Sequence, residues 1–211
     1  MPVQQPSLYE HLFPLTTIMK QRVVERFSGD ALDERWFESV ILGIATFAMV
    51  DAIDEGFQIE ITSAANNDRS SINFNNIRHY SHNSSVVIAV SRRVTANTAH
   101  HIGLSDGNQL LSTNNYAILR DFTGETFQDL VTSDGTTASS LASDIAINTI
   151  FHTHKLEQGS ANVKLTIDGI LKVTKTTNRP TVKMQPIFMV QSTSAVAGKQ
   201  GRTRYLEAYN T

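Results

Sequence analysis

The sequence predicts an all-β chain, a sandwich or barrel of antiparallel strands, and three observations predict it. Apolar and polar residues alternate with a period of two over much of the chain. Turn-forming residues recur between these runs. The composition holds 22 Thr, 19 Ser and 14 Asn beside only 7 Lys and 9 Glu, a balance that suits strands and turns better than helices.

Taken in order, residues 1–26 read as an N-terminal arm and residues 27–211 as one domain. Pro2, Pro6 and Pro14 each remove a backbone donor, so residues 1–16 should be extended. Residues 17–27 (TIMKQRVVERF) have the length for about three helical turns, against the β-branched pair Val23-Val24. A Pro-containing terminus is ordered only where something holds it, so Pro2, Pro6, Tyr9, Phe13 and Pro14 read as a contact surface for the domain itself or a neighbouring subunit. Residues 40–50 (VILGIATFAMV) predict a buried strand pair or a buried helix. In residues 57–63 (FQIEITS), Phe57, Ile59 and Ile61 share one strand face. Ile72 and Phe74 do the same in residues 71–75, and residues 86–91 (VVIAVS) suit a central strand. Residues 116–122 and 149–156 extend the pattern. Across residues 163–174 the pair Asp168-Gly169 separates two apolar runs and predicts a tight two-residue hairpin. Residues 182–191 and 204–209 supply the last strands.

Several classes of function are set aside by composition. A chain of 211 residues with 40% hydrophobic content can bury a core without a metal or disulfide. The lack of cysteine removes thiol catalysis and thiolate zinc sites. The net charge of -2 gives no polycationic footprint for nucleic acid. The first residues lack a basic leader followed by an apolar stretch, so no signal peptide is predicted and synthesis in a cytoplasm is expected. The longest nearly apolar run is 11 residues, against the roughly 20 that span a bilayer, so no membrane association is expected.

Three segments carry a resemblance. Residues 27–36 (FSGDALDERW) look like the opening of concanavalin A-like lectin/glucanase domains, with Phe-Ser-Gly leading through Leu-Asp to a Trp. Residues 151–169 (FHTHKLEQGSANVKLTIDG) are similar to a later run of these domains, and the close, from Asn178-Arg179-Pro180 to Tyr205-Leu206-Glu207, is similar to their last strands. The resemblance spans residues 27–211 loosely and implies a two-sheet antiparallel jelly-roll β-sandwich behind an extended or helical N-terminal arm. Because enzymes, lectins, adhesion modules and virion proteins share such folds, it leaves function open.

Laminarinase-type members carry a Glu-x-Asp-x-x-Glu strand that sets two carboxylates about 5 Å apart for a retaining mechanism. This sequence has no such string, and Asp51, Asp54 and Glu55 have the wrong spacing, so no catalytic residue is assigned and a non-enzymatic chain is expected. His152 and His154 share a strand face and could pair as imidazole ligands, but His79, His82, His100 and His101 lie elsewhere and no metal site is assigned. No cofactor is expected beyond calcium, for which Asp106, Asn108, Asn114 and Asn115 supply hard oxygens around one loop. For a glycan, an aromatic ring beside planar amides is needed, and Tyr116 with Asn115, and Tyr80 with His82, are the candidates. Trp36 reads as a core anchor.

From Lys155 onward nine basic residues face three acidic ones, a surface suited to an acidic neighbouring protein. Together these features predict a structural protein of a bacterial or archaeal virus, a capsid decoration, fibre or tail component that assembles as a homo-oligomer with other virion proteins. The likeness to three-fold decoration proteins suggests a trimer, although no residue fixes the number. The alternative is a lectin-like glycan-binding module for host-surface recognition, with a glycoside hydrolase ranked below it.

Overall fold

The computed structural model describes residues 22–28, 31–50, 56–111 and 113–211, and the regular structure among these is entirely β. One sheet has eight strands, here numbered in chain order. Its spatial sequence is β13 (Ile170–Lys175), β12 (Val163–Ile167), β11 (His152–Gln158), β6 (Ser85–Arg93), β15 (Lys199–Asn210), β4 (Phe57–Ile61) and β3 (Ala45–Met49). The eighth, β1 (Arg22–Glu25), lies against Leu206–Tyr209 of β15, beyond the stretch of β15 that pairs with β4. The second sheet runs β10 (Ala138–Ala146), β9 (Phe127–Asp134), β8 (Asn115–Asp121), β7 (Thr98–Ser105), β14 (Gln185–Ser192), β5 (Arg69–Asn73) and β2 (Phe37–Leu42). Every strand pairing is antiparallel.

The sheets bury their facing sides against each other. Phe57, Ile59 and Ile61 of β4, Leu156 of β11 and Leu206 of β15 meet Ile102 and Leu104 of β7, Leu119 of β8 and Phe188 of β14. Each fully buried side chain of this size stabilises the fold by about 1.5–3 kcal/mol. At one end Trp36 closes the core as expected, 4.8 Å from the Phe74 ring and 6.0 Å from Phe27, with its indole N–H donating to Glu25 at 3.2 Å. The hairpin at Asp168-Gly169 forms, with positive φ at both residues, 50° and 82°. The Asp168 carboxylate holds it by accepting from the Thr153 amide at 2.8 Å and from His152 Nδ1 at 2.6 Å.

Two local expectations are corrected. Within residues 17–27 the described part is strand β1, because Val23 is buried and its segment gains a ladder on β15, which outweighs local helix propensity. Residues 40–50 form strands as predicted, but β2 and β3 are edge strands of different sheets, and Val40, Leu42 and Ile44 are exposed. The arm residues Pro2, Pro6, Tyr9, Phe13 and Pro14, and the acidic residues Asp51, Asp54 and Glu55, lie outside the described residues. No helix among the described residues is long and apolar enough to cross a membrane.

Candidate functional site

Successive residues of a strand point to opposite faces, and on the seven-stranded sheet this sorts chemistry onto two sides. His100, Leu119 and Phe188 turn inward toward the other sheet, whereas Tyr116, Ile118, Val131, Ile187 and Met189 form a separate apolar cluster on the outward side. The pairing register runs Met189, His101, Arg120 and Asp129 side by side across four strands. The adjacent residues His100 and His101 therefore belong to different sites.

Inside the sandwich, His100 and His154 flank Ser91, whose Oγ lies 3.2 Å from His100 Nε2 and 3.3 Å from His154 Nδ1. His154 Nε2 reaches Gln128 at 3.2 Å, and the Asp121 carboxylate lies 3.6 Å from His100 Nδ1 and 3.7 Å from Arg93. Burial, then the neighbouring His100 and His152, hold His154 well below the usual imidazole range. Ser91, His100 and Asp121 have the order of a hydrolytic triad, yet all three are fully buried, so this row is structural and closed to substrate. The predicted pair His152 and His154 does share a face, with ring centroids 6.1 Å apart. Each ring already has protein partners, and no set of three or more metal-ligating side chains exists among the described residues.

The outward face holds the better candidate. A cavity of about 150 Å³ is lined by His101, Tyr116, Arg120, Phe122, Met189 and Gln191. His101 is only 5% exposed, and both of its ring nitrogens lack a hydrogen-bond partner among the described residues. Burial, then the charges of His100, Arg120 and Arg69, push its pKa down to about 3, so the ring is neutral at pH 7. Arg120 binds Glu125 at 2.5 Å and Asp129 at 2.9 Å through the same nitrogen and stacks over Phe122. Burial and the hydrogen-bonded Asp129 carboxyl push Glu125 up to about 7.

Residues 106–111 fold across this face, with 113 and 114 beyond them. Ser71 donates to the Asn108 carbonyl at 2.8 Å, Gln185 donates to the Asn108 side chain at 3.0 Å, and Leu110 packs on the outward apolar cluster. Beyond the loop lies a second cavity, about 350 Å³, lined by Ser39, Asn76, Asn108, Gln109, Leu111 and Asn114. The calcium candidates are brought together here, but as a closed knot. Asn114 and Asn115 donate their amides to the two oxygens of Asp106 at 2.9 and 3.1 Å. The amide oxygens of Asn108, Asn114 and Asn115 accept from Gln185, Leu111 and Thr181. That donor set does not fit a hard cation, which needs convergent oxygens.

Among the sugar candidates, Tyr116 lines the outward cavity, while Asn115 is buried in the knot beneath it. Tyr80 lies in the main core, hydrogen-bonded to the Val23 backbone, and half-buried His82 sits on the bend before β6. Arg120, Glu125, Asp129, Met189 and Gln191 were not singled out by the sequence. Period-two alternation along β8 and β14 is the signal that could have placed Arg120 and Gln191 beside Tyr116 and Met189.

No protein-family model matches the sequence, and no curated protein matches it. Solved structures match in fold. A β-glucanase from Bacillus licheniformis superposes with a TM-score of 0.67 at 11% identity, over 92% of this chain and 99% of its own. The Crh5 transglycosylase gives 0.63 at 14% identity, over 90% of this chain and 84% of its own. The Emp47p carbohydrate recognition domain gives 0.59 at 12%, over 90% and 94%. The fold is the concanavalin A-like jelly roll.

At such identities the likeness establishes the fold alone. It nevertheless corrects the expectation of a non-enzymatic chain. That expectation took the missing Glu-x-Asp-x-x-Glu string as decisive, yet this is the fold of a glucanase and a transglycosylase. A carboxyl pair does exist here, Glu125 from the β8–β9 turn and Asp129 from β9, gathered by Arg120.

Proposed function

We propose that the chain binds a glycan along the outward face of the seven-stranded sheet. The observation that carries this reading is His101, a buried imidazole with both nitrogens unpartnered among the described residues, set in a cavity with Tyr116 and Phe122. A buried polar group without partners costs about 1–3 kcal/mol, a cost that a bound hydroxyl or oxyanion would offset. Aromatic side chains beside polar groups are the surface that a pyranose ring requires. The glucanase and the carbohydrate recognition domain of the same fold act on or recognise saccharides by their names, which supports the reading.

The test is a glycan array followed by calorimetry with wild type and His101→Leu. Loss of one hydrogen bond of about 1–1.5 kcal/mol should weaken binding roughly tenfold. The same substitution should leave thermal stability unchanged or raised, since it removes an unmet polar group. A protein that binds no saccharide on the array, or a leucine variant that binds as wild type, would overturn the reading.

Catalysis on the bound glycan is a second reading, favoured by Glu125 and Asp129. Glu125, raised to about 7, can hold a proton near neutrality beside a second carboxyl, which is what a general acid needs. Glu125→Gln should then abolish turnover, by about 100-fold or more, without loss of binding. Absence of hydrolysis or transfer across a panel of polysaccharides would remove this reading and leave binding intact.

A further inference from the structure

We propose that the saccharide is acidic, and that its carboxylate or sulfate sits among Arg69, His101 and Arg120. This inference rests on the glycan-binding reading and specifies its substrate class. Arg69 on β5 stands directly across from Gln191 on β14, and cross-strand partners share a face. Since Gln191 lines the cavity with His101 and Arg120, all four belong to the outward side.

Three of the unmet groups at this place are donors; the unmet acceptors are the second His101 nitrogen and Glu125 Oε2, the latter on the far side of Arg120. Nε of Arg69 and Nε of Arg120 are buried and lack hydrogen-bond partners among the described residues, as does the ring of His101. The neutral imidazole adds one N–H. A neutral sugar hydroxyl brings a donor with every acceptor, whereas a carboxylate or sulfate brings several lone pairs and no proton, which matches two guanidinium N–H groups and one imidazole N–H. Guanidinium groups suit planar oxyanions better than a point cation would.

The surrounding charges also fix where the anion lies. Glu125 and Asp129 occupy the far side of Arg120 through its Nη2 atom, so an added anion is repelled there and must approach from the His101 and Arg69 side. The side-chain amide of Gln191 donates to Asn67, in the turn before β5, at 3.1 Å and so already has a partner.

Calorimetry on the full chain with three size-matched oligosaccharides tests the proposal: a neutral β-glucan, an oligouronate and a sulfated galactan. The expected result is that one or both acidic ligands bind at least tenfold more tightly than the neutral one, and that added salt weakens only the acidic binding. The arm that responds identifies the anion as carboxylate or sulfate. Arg69→Gln should weaken acidic binding about tenfold and leave neutral binding unchanged, with Arg69→Lys recovering part of the loss and circular dichroism verifying the fold of both. Equal affinity for all three ligands, or acidic binding indifferent to Arg69→Gln, overturns the acidic assignment while glycan binding stands. Binding of none of them, together with a blank glycan array, overturns both.

Discussion

Acidification from pH 6.5 toward about pH 4.5 should strip several kcal/mol from the stability of this fold, with His101 alone accounting for about 2–3 kcal/mol. In the folded chain His101 is held down to about 3 from an ordinary value of 6.5, chiefly by burial. The unfolded chain therefore takes up this proton first as the pH drops. Stability is complete above pH 6.5, is lost progressively below it, and levels off only once the folded ring also protonates near pH 3. Burial displaces His154 in the same direction, so its loss adds to that of His101. Glu125 acts with the opposite sign, because a raised folded value makes the fold bind the proton first, but its side chain is 33% exposed and solvent screens the effect. Against a typical total of about 5–15 kcal/mol, the loss at His101 alone is a sizeable fraction of the stability in mild acid. Urea midpoints measured through this range would follow the loss, and His101→Leu should flatten the slope by one histidine. A midpoint constant from pH 7 to about pH 4.5 would sink the claim that these rings are buried neutral.

What the sequence disclosed is what neighbouring residues decide among themselves. Asp168-Gly169 dictated its hairpin because the positive φ angles are a local demand, and β4 showed itself because only one of its faces is buried. Strand β7 escaped notice for the opposite reason. Thr98–Ser105 is buried along its whole length, so no alternation in polarity marks it. Val23-Val24 was ambiguous until the distant Ala208 and Glu207 came alongside. The outward site was harder still. Arg120 meets Asp129 only through the β8–β9 register, and His101 meets Arg120 only through the β7–β8 register. A search for two carboxylates on one strand could not find a pair assembled from a turn and a strand around a guanidinium.

Gly103→Ala is expected to be the most damaging single-methyl change on this sheet. Gly103 lies between His101 and Ser105 on β7, opposite Ile118 of β8. A Cβ built there would stand 2.3 Å from the Ala117 carbonyl oxygen and 2.9 Å from the Ile118 Cα. Those neighbours are backbone atoms of the adjoining strand and cannot rotate aside, unlike the far end of a flexible side chain. On the third side the Leu156 Cδ1 atom of the other sheet is also 2.9 Å away and must shift, and the φ of 156° at Gly103 adds backbone strain of its own. Relief therefore requires β7 and β8 to part at their hydrogen-bonded ladder, at a cost of about 3 kcal/mol or more. Gly169→Ala is the informative control. Nothing lies within 4 Å of its added methyl, and only the left-handed φ of 82° is strained, which should cost about 1–2 kcal/mol. Because the β7–β8 register sets His101 beside Arg120, the alanine variant should lose the proposed saccharide binding along with stability, while Gly169→Ala should leave that register intact. Urea denaturation and calorimetry on the two variants separate these outcomes, and equal costs for both would show that strand proximity at Gly103 is not what holds the outward site together.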